Sequence, residues 1–373
     1  MMQRRQPDTP RKKRWALLVI VPLVIVVLIV AISGIRRIGQ PREATAVKLP
    51  CLSGQSVTPF GEYVLYYDSV SIHCVTAAGG VRWSFPIGAD AAFSTSGSNV
   101  VAWVNSQVYI LDQNGHSTYS DNLGQQVQFA RIGKKYAAAV TGDDTEPTLQ
   151  LFDLNGAPVD DETEAFSGRL MLDVGFYGED GQYIWTLGID VFGTAANTVL
   201  NTFEVGQMNT GKISLGDVLT YKVIYDNQKL RVLSTRQMRT FNYRGAEDTA
   251  ASILVYGWKL IASETPEKGD ALMLLAPSAQ TNSQYTIREV RLLSGVNDRR
   301  YTLPSDCVGA VIHSKTLYAF SSDYIYRSDT GTQRFSALNR PKNMPAPTDL
   351  IGMTTGGEAI IACGDAVYAV SMP

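Results

Sequence analysis

Residues 63–85, YVLYYDSVSIHCVTAAGGVRWSF, decide the fold. An apolar run, YVLYY, turns into a second run, SIHCVT; a small-residue turn, AAGG, leads to a third, more polar run, VRWSF. Runs this short, rich in β-branched and aromatic residues and without helical periodicity, read as antiparallel strands. Glycine in the turn supplies the positive φ that a close chain reversal needs.

The pattern recurs along the chain. Residues 100–104 are followed by QVYILDQNGHSTY, 136–140 by LQLFDLNGAPV, and 183–187, after an insertion, by NTFEVGQMNTGKISL. Residues 223–225 precede KLRVLSTRQMRTF, 271–275 precede YTIREVRLLSGVNDRRYTL, 316–320 precede DYIYRSDTGTQRF, and 359–362 precede AVYAVSMP. These eight units start roughly 34–50 residues apart, the spacing of four-stranded propeller blades. The last unit lacks an outermost strand, and residues 46–49 (AVKL) are expected to supply it and close the ring. The predicted fold is all-β: a β-propeller of eight blades, with a seven-bladed ring containing one irregular blade as the alternative.

Before the repeats, residues 15–35 carry no charge and contain LLVIVPLVIVVLIVAISGI. About 20 such residues cross a bilayer core as a helix. Six basic residues precede the run (Arg4, Arg5, Arg11, Lys12, Lys13, Arg14), against Arg36, Arg37, Arg42 and Lys48 after it. The bias predicts a cytoplasmic N-terminus. The expected organisation is a basic stub (1–14), a transmembrane helix (15–35), a linker with the ring-closing strand (36–50) and an extracytoplasmic propeller (51–373). The alternative is a signal peptide cleaved after Ser33, although the apolar region is longer than such peptides use.

Overall charge, 33 basic against 35 acidic residues, provides no field to steer the chain to nucleic acid. Cys51, Cys74, Cys307 and Cys363 allow either two disulfides, in three pairings, or four buried thiols. Neither a C-x-x-C pair nor a histidine-rich cluster suggests zinc.

The stretch CVTAAGGVRWSF, with Gly80 and Trp83, resembles the repeat of quinoprotein-type (PQQ-like) propellers. LFDLNGAPV and YRSDTGTQRF echo it with the aromatic lost or replaced. A cytoplasmic stub, a helix and a degenerate propeller together are similar to a group of membrane-anchored propeller proteins of Gram-positive bacteria. The resemblance implies fold and placement, and no activity.

Tests for chemistry return little. The adjacent cysteines, acidic cluster and repeated tryptophans of quinone enzymes are missing. Ser328-Asp329-Thr330-Gly331 departs from the sialidase box in spacing and lacks its tryptophan, and WD and kelch signatures are absent. The acidic runs 142–146 (GDDTE) and 160–164 (DDETE) lack the alternation of a calcium loop and are expected to be solvated loops. There is no G-x-S-x-G elbow. His73 and His313 are expected in the core and His116 in an exposed turn, with tyrosines such as Tyr66, Tyr67, Tyr324 and Tyr326 between blades.

The expectation is a membrane-tethered binding or scaffold module for extracytoplasmic protein or cell-envelope partners. It needs no cofactor or metal, has no assignable catalytic residue and binds no nucleic acid. The insertions 141–147, 189–198 and 276–284 are the expected contact loops. The alternative is a polysaccharide hydrolase or lyase using two convergent carboxylates in the propeller funnel.

Overall fold

The computed structural model describes residues 43–372 apart from Phe192, 208–210, Tyr243, 267–268 and 279–285. The expected membrane segment 15–35 and the stub before it lie outside the described residues. Among the described residues no helix is long and apolar enough to cross a membrane.

The unit Ala44–Met372 consists of eight four-stranded antiparallel sheets. Blades 1 to 7 span 56–86, 92–122, 127–162, 170–216, 220–254, 258–307 and 309–339. Blade 8 takes its first three strands from 349–371 and its outer strand, Thr45–Leu52, from the other end of the unit. The ring therefore has eight blades, and the closing strand expected at 46–49 is the longer Thr45–Leu52.

Each blade buries both faces of its middle strands, which explains why those strands read as continuous apolar runs. Val64 and Tyr66 of blade 1 pack with Leu49, Cys51 and Ile360 of blade 8, while Leu65 and Cys74 face Val100 and Ala102 of blade 2. Among the described residues eight apolar clusters form, each drawn from two consecutive blades, so every seam of the ring has its own core. A fully buried Leu, Val or Phe contributes about 1.5–3 kcal/mol. All four cysteines are free and buried in these seams. Burial raises the thiols of Cys74 and Cys307 to about 12 and those of Cys51 and Cys363 to about 11, so they pack as small apolar side chains.

A second device locks neighbouring blades. The outer-strand Trp83 donates its indole N–H to the Gln113 carbonyl at 3.0 Å and covers Gly115 in the last turn of blade 2. Tyr119 of blade 2 covers Gly156 of blade 3 likewise, and Ile213 of blade 4 approaches Gly245 of blade 5. The turns are built alike: Asp112, Asp153 and Asn242 each accept backbone N–H bonds from residues two and four ahead. In blade 1 the positive φ falls on Gly79 (82°), whereas Gly80 donates its N–H to Thr76 Oγ1.

Two expectations need adjustment. Residues 223–225 lie in the first strand of blade 5 (Thr220–Asp226), where the other repeat units begin in the second strand, so that unit was read one strand out of phase. Asp160, Asp161 and Glu162 lie on the outer strand Pro158–Glu162 of blade 3, not in a loop. An outer strand exposes one face, so charge there costs little.

Candidate binding face

Because each blade is an antiparallel meander, its turns sort onto two faces. The upper face carries the turns between second and third strands and the connections from one blade to the next. The lower face carries the remaining turns, and there the chain enters at Thr45 and ends its last strand at Ser371, its ladder partner. In blade 1 the hydroxyl of Tyr67 donates to Gly88 at 2.5 Å, and the Val70 carbonyl accepts from Ile87 and Gly88, tying the turn to the following connection.

The three insertions all fall on the upper face, between second and third strands. In blade 3 the turn is 142–147, in blade 4 the strands extend further than expected and leave 191–196, and in blade 6 the turn begins after Pro277. Much of that third insertion, 279–285, lies outside the described residues.

Exposed large apolar side chains show the same polarity. Leu52, Val70, Leu172, Val191, Leu219, Leu254, Tyr256 and Tyr324 lie on or beside the upper face; Val47, Val81 and Val296 lie toward the lower. Tyr324 thus corrects one expectation: Tyr66 and Tyr326 are buried between blades, but Tyr324 is exposed at a strand start. The connections and middle turns from blade 8 to blade 3 are acidic, with Asp365, Asp68, Asp90, Asp143, Asp144 and Glu146 and no lysine or arginine before Arg169.

At the axis, the inner strands of blades 1 and 2 and Arg131 of blade 3 line a cavity of about 430 Å³. Its side chains are mainly hydroxyls and small apolar groups, and Arg131 is its charged member. The guanidinium is held by Asp173 of blade 4 at 2.8 Å and lies over Phe129. Among the described residues that line this cavity there is no carboxylate.

One array has the composition of a catalytic triad. His73 lies between Asp68, 2.9 Å from Nε2, and Ser84, 2.7 Å from Nδ1, and stacks on Tyr66. The carboxylate fixes the Nε2–H tautomer and leaves Nδ1 to accept the Ser84 hydroxyl. Asp68 is also the turn-maker: its other oxygen, Oδ1, accepts the N–H groups of Val70 and Ser71. The Ser71 N–H, followed by His73, holds the Asp68 carboxyl down to about 2. His73 and Ser84 are cross-strand partners on the side of an outer strand, with Ser84 exposed. The array therefore fastens a turn to two strands. The sequence could not reveal it, because cross-strand pairing is not legible without the register.

His313 is half-buried beside Gly357, and His116 is exposed near Asp112. In the acidic turn 142–146, Asp143 accepts from the backbone of Thr145 and Glu146, its carboxyl lowered first by the Thr145 hydroxyl. Among the described residues no cluster of histidine, cysteine or carboxylate groups could hold a metal.

The chain is similar in fold to the propeller of Dos1, with a TM-score of 0.55 at 10% identity over 89% of this chain and 94% of that one. It is also similar to BamB from Moraxella catarrhalis, with a TM-score of 0.49 at 11% identity over 88% and 96%. Identity this low speaks for fold alone. No protein-family model and no curated protein matches the sequence.

Proposed function

We propose that this protein is a membrane-tethered, extracytoplasmic scaffold whose propeller binds a protein or cell-envelope partner on its upper face. The observation that carries this reading is the polarity of the ring: exposed apolar side chains collect on the face opposite the one where the chain enters. Eight of the eleven large exposed apolar side chains among the described residues lie on or beside that face. The apolar run 15–35, preceded by six basic residues, supports a tether with the N-terminus in the cytoplasm.

Placement is tested by a membrane-impermeant maleimide on intact cells producing Val70→Cys. The four native thiols are buried and weakly ionised, so the unmodified protein provides a silent background. Labelling is expected without lysis; labelling only after lysis contradicts the placement.

A further inference from the structure

The strongest concentration of unpaired chemistry on the upper face is at blade 5 and its two connections. Leu219, in the connection entering the blade, is 53% exposed; Leu254, ending its outer strand, is 70% exposed; Tyr256, in the connection leaving it, is 74% exposed. Backbone bonds hold these positions around one turn. The Thr235 N–H donates to the Leu219 carbonyl at 3.1 Å, and the Val255 N–H donates to the Arg236 carbonyl at 2.9 Å. The outer strand is two residues long, Ile253–Leu254.

Three exposed cations share the sector. Arg236 lies in the turn, and Lys222 and Lys259 lie near the upper ends of the inner strands of blades 5 and 6. Those two strands are tied together by the Tyr221 hydroxyl, which accepts the Leu260 N–H at 3.2 Å. Ion pairs elsewhere engage Arg131, Lys229, Arg231, Arg239, Arg288 and Arg291, but these three cations have no carboxylate partner among the described residues. Asp217 is the opposing charge closest in sequence to Leu219, leaving the sector net positive.

From this juxtaposition we infer that the upper surface of blade 5 is the docking site for an acidic polypeptide segment carrying apolar side chains. Leu219, Leu254 and Tyr256 take its apolar groups, and Lys222, Arg236 and Lys259 take its carboxylates. Charge complementarity selects this occupant. A basic segment would be repelled here and drawn to the acidic arc of blades 8 to 3, while a purely polar polyanion would leave three large apolar side chains uncovered. This inference rests on the upper-face reading and sharpens it to one sector.

The test uses full-length protein in detergent and a phage-displayed library of random 12-residue peptides. Enriched peptides are expected to carry net negative charge with two or more large apolar residues, and to bind less tightly as salt rises. Leu254→Asp with Tyr256→Ser, and separately Lys222→Glu with Lys259→Glu, should each weaken binding at least tenfold. Val81→Asp and Val296→Asp on the lower face should leave it unchanged. Binding that survives both blade 5 variants but is lost with Asp143→Ala, Asp144→Ala and Glu146→Ala overturns the blade 5 assignment and leaves the upper-face reading standing. Binding lost only with the lower-face variants overturns both. A library without enrichment, or enriched in basic peptides, overturns the inference.

Discussion

Thr45 lies directly across an antiparallel ladder from Ser371, so the first and last described strands belong to one sheet. The closure is reinforced on two sides. Leu49 and Cys51 enter the seam with blade 1, while Ala44 and Ala46 enter the seam with blade 7 beside Met344. Asn343 adds a bond to the Ala46 carbonyl at 2.7 Å.

Closure by a distant strand predicts an outsized effect of small changes in 45–52. Leu49, 2% exposed, should cost about 2–4 kcal/mol when changed to alanine. Leu52→Ala, at a position 56% exposed in the same strand, should stay within about 0.5 kcal/mol. Urea denaturation of the two variants side by side measures the difference.

The blade lock predicts that Gly115 tolerates no side chain. A Cβ there would come within 2.5 Å of the Trp83 indole, at a φ of +80°. Gly115→Ala should therefore lose about 2–4 kcal/mol, combining overpacking with backbone strain. Gly97, with φ +59° and open space around it, carries the backbone penalty alone, about 1 kcal/mol. Equal losses in thermal denaturation would show that Trp83 does not lock the turn.

Arg231 is 2% exposed and bonds Asp226 at 2.9 Å, Thr240 at 3.0 Å and Asp270 at 3.1 Å across the seam of blades 5 and 6. Arg231→Ala strands the buried Asp226 carboxylate and should cost about 3–5 kcal/mol. Arg288, exposed and paired with Asp306, is the control; solvent screens that pair, so its loss should change stability far less.

Asp68 makes a pH prediction. Its folded value, about 2, lies below the ordinary carboxylate value near 4, so its contribution is present above about pH 4 and is lost as pH falls towards 2. Asp68→Asn should be less stable than the parent at pH 6, with the gap closing by about pH 2. A gap independent of pH would show that geometry, not charge, holds the turn. Because the array fastens a turn, Ser84 should not be labelled by a fluorophosphonate, and labelling that His73→Ala abolishes would make it a nucleophile.

The ring was legible from the sequence because each second strand, such as 136–140 (YAAAV), is buried on both faces and reads as an unbroken apolar run. Blade 5 was read out of phase because its first strand, TYKVIYD, is as apolar as its second, LRV being interrupted by the buried Arg231. The blade lock was half visible. The spacing of glycine to an aromatic four residues on recurs at Gly79–Trp83 and Gly115–Tyr119, but only the register shows that the aromatic covers the next blade's turn. The polarity of the faces was hidden for the same reason: Leu254, ending a strand, and Tyr256, in a connection, stand out only when topology brings them to one rim beside Leu219.

Site-specific photocrosslinking in intact cells distinguishes the two faces of the ring. A photoreactive phenylalanine is placed at Val70, Leu219 or Tyr324 on the upper face, and at Val81 or Val296 toward the lower. Adducts to a common partner from the upper positions, with none from the lower pair, are the predicted result. Adducts confined to the lower pair would contradict a recognition face turned away from the point of chain entry.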